Sequence, residues 1–209
     1  MTDLENPLKP LELRLLSGDR QALAEAFSQC RDRLLKMVEL RLDRRLAVRL
    51  APADILQEAY IDAEERLPHF LSRERMPLYL WLRLITGQRL AEVHRRHLGA
   101  QARNAALEIS LQARAPSVSS ICLAEHLLGR FTTPSQAAMR LEAAADLERA
   151  LNGLDPIDRE ILSLRHFEEL SNQEVALSLG LKAATASKRY VRALARLRQA
   201  LEKAPGDSE

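Results

Sequence analysis

Apolar and polar positions along the chain follow almost throughout the three-to-four-residue spacing of amphipathic helices, and no strand-like alternation of useful length occurs. A helical pattern starts near Leu11, is punctuated at Ser17-Gly18-Asp19, and resumes through Ala22, Leu23, Ala26, Phe27, Leu34, Val38 and Leu42. Asp43 to Arg49 is basic and poorly patterned. Pro52 starts the next helix, with Asp54 in its first turn, where a carboxylate suits the helix dipole. That helix sets an apolar stripe (Ile55, Ala59, Ala63, Leu67) against a strongly acidic outer face, and Pro68 is expected to end or break it. Pro77 opens another helix holding Leu78, Trp81, Leu82 and Ile85.

From about Ser110 to Thr133 the pattern dissolves into a linker with one short helix around Leu123 to Leu128. Thr133-Pro134-Ser135-Gln136 then supplies an N-cap, a proline at the first helical position and an amide at N3, and Asp155-Pro156 restarts a helix in the same way. The expected fold is all-α, with two helical domains joined by a linker. The expected bounds are a flexible N-terminus 1–10, a first domain 11–103, a linker 104–132, a second domain 133–203 and a flexible tail 204–209.

The richest stretch is Ser171 to Arg198. Ser171 followed by Glu174 is a capping box, Val175, Ala176 and Leu179 give a short apolar helix, and Gly180 can take the left-handed conformation that ends it. The helix after Leu181 carries Lys182, Lys188, Arg189, Arg192, Arg196 and Arg198 and no acid up to that point. Short helix, glycine turn and basic helix form a helix-turn-helix that reads DNA. Tyr190, Leu194, Leu197 and Leu201 are expected to pack inward. Lys182, Ala184, Thr185, Ser187 and Lys188 are expected at base edges, with Arg189, Arg192 and Arg196 on phosphates. A solvated basic face would explain the cations alone; the capped helix and the Gly180 turn before them favour the DNA reader.

Composition narrows the chemistry. A net charge of +2 makes any nucleic-acid binding the work of local basic patches. Cys30 and Cys122 stand apart with no metal-ligand spacing and read as small buried hydrophobes of a cytoplasmic protein. No apolar run is long enough for membrane insertion, and no apolar signal core opens the chain. No phosphate-binding glycine loop, metal cluster or nucleophile–base pair appears, and His166 reads as a helix-surface histidine. A binding protein without a cofactor, not an enzyme, is expected.

Motif order suggests a family. Asp158-Arg159-Glu160, Leu164-Arg165, Glu174-Val175-Ala176, Leu179-Gly180, Arg192-Ala193-Leu194 and Leu197-Arg198 resemble the minus-35-reading C-terminal domain of bacterial sigma factors. Ala53 to Ala59 (ADILQEA) resembles the core-polymerase-binding helix of that family, and Leu80-Trp81-Leu82 with Ile85 and an Arg-rich tail resembles its promoter-melting helix. Together they resemble the small two-domain, extracytoplasmic-function group of the sigma-70 family.

The resemblance implies roles. Asp54, Gln57, Glu58 and Asp62 would dock on the clamp helices of the largest polymerase subunit, and the flap is a further polymerase contact. Tyr79, Trp81, Arg83 and Gln88 would shape the minus-10 strand-separating surface, with core packing the default role of Trp81. Arg95, Arg96 and His97 would meet the upstream DNA by charge. Gln88 stands where the family often has Asn, and Ala183, Ala184 and Ala186 leave few side chains to read bases, so phosphate contacts supply most of the affinity. The implied partners are core RNA polymerase, promoter DNA and an anti-sigma factor. The alternatives are a dimeric helix-turn-helix regulator, or a degenerate sigma-like module that binds polymerase or an inhibitor without initiating.

Overall fold

The computed structural model describes residues 7–72, 76–106, 116–129 and 137–202. Among the described residues it is all helix and connecting turns. Contacts divide it into two units: Met1–Val38 with Leu42–Pro116, and Glu39–Arg41 with Ser117–Glu209.

The first unit holds α1 (Lys9–Leu16), α2 (Gln21–Glu39, its last residue grouping with the second unit), α3 (Arg44–Ala47), α4 (Pro52–Ser72) and α5 (Leu78–Ala106). Helix α1 begins before the expected Leu11, because Leu8 is already buried and Pro10 has a backbone pre-set for a first turn. The Ser17-Gly18-Asp19 break is present, with Gly18 at φ 95° and Asp19 accepting the Gln21 N–H at 3.0 Å to start α2. The stretch Asp43 to Arg49, unpatterned in sequence, contains α3, which Asp43 caps by accepting the Arg45 N–H at 2.9 Å and buried Leu46 anchors.

Pro68 does not end α4. The helix runs through it to Ser72, and Phe70 beyond it stacks on Trp81 with ring centroids 4.4 Å apart. Packing on both sides of the proline outweighs one missing backbone hydrogen bond. The expected stripe of Ile55, Ala59, Ala63 and Leu67 is buried, and α4 packs along α5.

The second unit contains α6 (Ser120–Gly129), α7 (Ala137–Asn152), α8 (Pro156–His166), α9 (Asn172–Leu179) and α10 (Ala183–Glu202). The short helix expected within the linker exists as α6, and it belongs to this unit's core. Leu123 and Ala124 are buried in one cluster with Leu147, Leu151, Leu154, Leu162 and Phe167, and α6 packs on α7. By contacts this unit takes in Ser117 onward together with Glu39–Arg41, so α6 groups with it although it falls inside the expected linker. The cap at 133–136, the tail 204–209 and residues 1–6 lie outside the described residues. Helix α8 starts as expected, with Asp155 Oδ1 accepting the Ile157 N–H at 2.8 Å and Pro156 in the first turn. Buried Glu160 and Glu168 are neutralised by Arg41, which groups with this unit and lies 2.8 Å from Glu168 Oε1.

Candidate nucleic-acid interface

Local chemistry fixes the helix-turn-helix before any long-range contact is needed. Ser171 Oγ accepts the Glu174 N–H at 3.2 Å, and Glu174 Oε2 accepts the Ser171 N–H at 2.8 Å, closing the capping box. Gly180 ends α9 at φ 62°, ψ 31°, and the Leu181 N–H returns to the Ala176 carbonyl at 2.8 Å. Asn172 Nδ2 donates to the Ala183 carbonyl at 2.9 Å, so the first turn of α9 holds the first turn of α10.

Helix α10 has two faces. Ala186 and Ala193 are fully buried, and Tyr190 and Leu197 pack on the core cluster. The expected inward stripe is thus rotated: Leu194 is 37% exposed. The helical period through Tyr190 and Leu197 runs on to the two alanines, and their small side chains let α10 lie close to its neighbours. Tyr190 Oη and His166 Nε2 are 3.2 Å apart, which makes His166 a half-buried packing partner at the end of α8.

Away from the core Lys182, Ala184, Thr185, Ser187, Lys188 and Arg192 are exposed, and Arg196, exposed as well, lies at the edge nearest α8. Arg192 Nε reaches back to the Lys188 carbonyl at 3.4 Å. Arg189 departs from the expectation. Its Nε donates to Asp158 Oδ1 at 2.8 Å and its Nη2 lies 2.9 Å from Asp155 Oδ1, so it faces α8 and not the open side. Arg196 Nη1 is 3.4 Å from the other Asp158 oxygen.

In the first unit, Asp54, Gln57 and Glu58 are exposed on the outer face of α4, as expected. Gln57 borders a groove of about 310 Å³ between α2 and α4, lined also by Phe27, Arg31, Leu56 and Tyr60. Asp62 does not share that face. It is buried, and both its oxygens are taken by Arg89, through Nε at 2.8 Å and through Nη2, so it bridges α4 to α5. Arg89 also lies 3.2 Å from Glu92 and 3.7 Å from Glu58, and its pKa is raised above the ordinary arginine value chiefly by the Asp62 hydrogen bond.

Three residues expected at the minus-10 surface are inside. Tyr79, Trp81 and Arg83 are buried, with the Arg33 guanidinium 3.7 Å from the centre of the Tyr79 ring. The run Leu78 to Leu82 is apolar all round and is therefore enclosed. Gln88 is half-buried, and its Oε1 accepts from Arg66 Nη1 at 2.7 Å. Arg95, Arg96 and His97 are exposed, with Arg96 held to Glu92 at 2.8 Å.

One anchor had no sequence signal. Buried His94 accepts the Asp43 N–H at Nε2, 3.3 Å away, tying α5 to the cap of α3, and desolvation lowers its pKa from the ordinary 6.5. Cys30 and Cys122 are buried free thiols. Among the described residues no cluster of His, Cys, Asp and Glu could hold a metal, and no helix is long and apolar enough to cross a membrane.

Comparison with known proteins agrees with this geometry. The family described as Sigma-70, region 4 matches residues 144–197, which span the end of α7 through α8, α9 and most of α10. An RNA polymerase sigma-E factor of Streptomyces antibioticus is 45% identical over 53 residues, 25% of this chain and 29% of that protein. The probable RNA polymerase sigma factor RfaY of Xanthomonas campestris pv. campestris is 28% identical over 186 residues, 88% of this chain and 42% of its own length. The chain thus spans less than half the length of these relatives. Among solved structures, CnrH in complex with the cytosolic domain of CnrY shares the fold, with a TM-score of 0.53 and 21% identity over 93% of this chain and 96% of that one. Residues 144–197 thus carry a Sigma-70 region 4 match on the helix-turn-helix, and the chain is similar to RNA polymerase sigma factors.

Proposed function

We propose that the chain is a transcription initiation factor that binds core RNA polymerase and directs it to promoters. The observation that carries this is the exposed face of α10 from Lys182 to Arg192, cationic and free of acids, set behind a capped α9 and the Gly180 turn within a matched region 4. Such a helix seats its N-terminal half in the major groove, here at a minus-35 element, with Lys188, Arg192 and Arg196 on phosphates. The exposed carboxylates Asp54 and Glu58, with Gln57, would dock on the clamp helices of the largest subunit. Gln88, Arg95 and Arg96 would meet the minus-10 region, while Trp81 and its neighbours support that surface from within.

Two modest DNA contacts in one chain gain from effective concentration, so neither unit alone binds a promoter tightly. The chain itself performs no catalysis, works in the cytoplasm, and is restrained by an anti-sigma partner. The test is transcription by bacterial core polymerase on genomic fragments with and without the protein, mapping every new RNA start. Discrete starts sharing two spaced upstream elements are expected. An absence of new starts, with a core that responds to another sigma factor, would overturn the proposal in favour of a regulator or a titrating module.

A further inference from the structure

Asp158 sits on α8 with its side chain only 4% exposed, and a carboxylate so enclosed needs compensating charge. Two arginines of α10 approach it, one at each oxygen, on very unequal terms. Arg189, 26% exposed, donates Nε to Oδ1 at 2.8 Å and places Nη2 2.9 Å from Asp155 Oδ1. That Asp155 oxygen is the one that caps α8 through the Ile157 N–H at 2.8 Å. A planar guanidinium held by two carboxylates on one helix end fixes the rotation of α10 about its own axis. Arg196, 58% exposed, has one long contact of 3.4 Å with Oδ2. A contact of that length and exposure contributes little.

We infer that Arg189 is the positioning residue of the DNA-reading helix, and that Asp158 holds Arg196 in reserve and releases it to a DNA phosphate when α10 docks. The inference rests on the DNA-reading role proposed above. Arg189 stays on Asp158 throughout, so releasing Arg196 leaves no buried charge uncompensated. Rotation of α10 decides whether Thr185, Ser187 and Lys188 meet base edges or the groove wall. Arg189 thereby acts on sequence discrimination without touching DNA, and Arg196 acts on affinity without reading sequence.

The two roles separate in the salt dependence of binding by the full chain. Fluorescence anisotropy is measured on a duplex carrying the upstream element shared by the mapped starts and on a scrambled duplex, across a salt series. Arg196→Met is expected to reduce the slope of log K against log salt by about 0.9, the release from one phosphate, with the cognate-to-scrambled ratio unchanged. Arg189→Met is expected to keep the slope and reduce that ratio about tenfold, the scale of one misread base pair. Asp158→Asn is expected to reduce the ratio as Arg189→Met does and to keep the slope, because Arg189 then loses the carboxylate that orients it while Arg196 stays available to phosphate. A variant that is merely partly unfolded loses both affinities in proportion, so the ratio isolates orientation. Equal loss of slope in Arg189→Met and Arg196→Met would overturn the inference, as would an unchanged ratio in both Arg189→Met and Asp158→Asn. If the wild-type chain binds no duplex at any salt, the DNA-reading role falls and this inference with it.

Discussion

Replacing Asp62 with alanine separates a structural carboxylate from the exposed carboxylates of the same helix that are proposed to dock on polymerase. Asp62 and Arg89 have side-chain exposures of 10% and 18%, and the pair joins α4 to α5 through both oxygens. Removing one partner of a buried pair costs about 3–5 kcal/mol. Arg89 would keep Glu92 at 3.2 Å and Glu58 at 3.7 Å and is partly solvated, which reduces the expected loss to about 2 kcal/mol. For a unit of this size that lowers the melting temperature by about 8–16 °C.

Trp81 is the only tryptophan, lies buried against Phe70 on α5, and so reports the unfolding of the first unit by its fluorescence. Asp54→Ala, at an exposed position, should stay within about 0.5 kcal/mol of wild type. The double replacement Asp62→Leu with Arg89→Met should recover most of the loss, since no charge is then left buried alone. A melting curve for Asp62→Ala that overlays that of Asp54→Ala would refute the structural role and return Asp62 to the docking face. Reversing Asp54 and Glu58 to lysine should instead abolish capture by core polymerase while the Trp81 transition, which loses only the 3.7 Å Glu58–Arg89 contact, moves far less than in Asp62→Ala.

Acidification should weaken the first unit through His94. Its folded pKa lies below the unfolded 6.5, so the unfolded chain binds the extra proton, and stability is fully present above 6.5 and is lost as pH falls below it. His94→Gln should flatten the Trp81 melting temperature between pH 7.5 and 5.5, and a slope unchanged from wild type would exclude His94 as the source. Gly180→Ala forces a side chain into φ 62° and should cost the second unit about 1 kcal/mol, read by circular-dichroism melting, with Gly180→Asn close to wild type. Arg192→Ala should weaken DNA binding uniformly across sequences and reduce the salt slope by about one unit, and an unchanged slope would show that Arg192 does not reach phosphate.

What the sequence discloses here is whatever is decided within a few residues. The Ser171–Glu174 box, the Gly180 turn and the Asp155-Pro156 start each rest on hydrogen bonds spanning two to five positions, and each forms as read. The ion pairs that re-sort the candidate residues span 27 positions for Asp62 with Arg89 and 31 for Asp158 with Arg189. Nothing in the local pattern distinguishes those carboxylates and that arginine from their solvated neighbours. Tyr79, Trp81 and Arg83 carry the side chains that suit stacking on bases, and the family motif drew them to the DNA surface. The apolar run around them puts them in the core instead. Pro68 and α6 show the same competition, in which tertiary packing on Phe70 and on Leu123 overrides a local breaker and a weak local pattern.

The division of α10 into two sets of side chains bears on how such a protein diversifies. Ala186, Tyr190, Ala193 and Leu197 hold the helix to its unit, and Lys182, Thr185, Ser187, Lys188 and Arg192 face away from it. Because the sets do not overlap, substitutions in the outward set are close to neutral for folding, within about 0.5 kcal/mol. With the DNA-reading role proposed for α10, a duplicated gene can therefore drift to a new target sequence through mutants that all fold, and two copies in one cell can become insulated from each other without any intermediate having to be rescued.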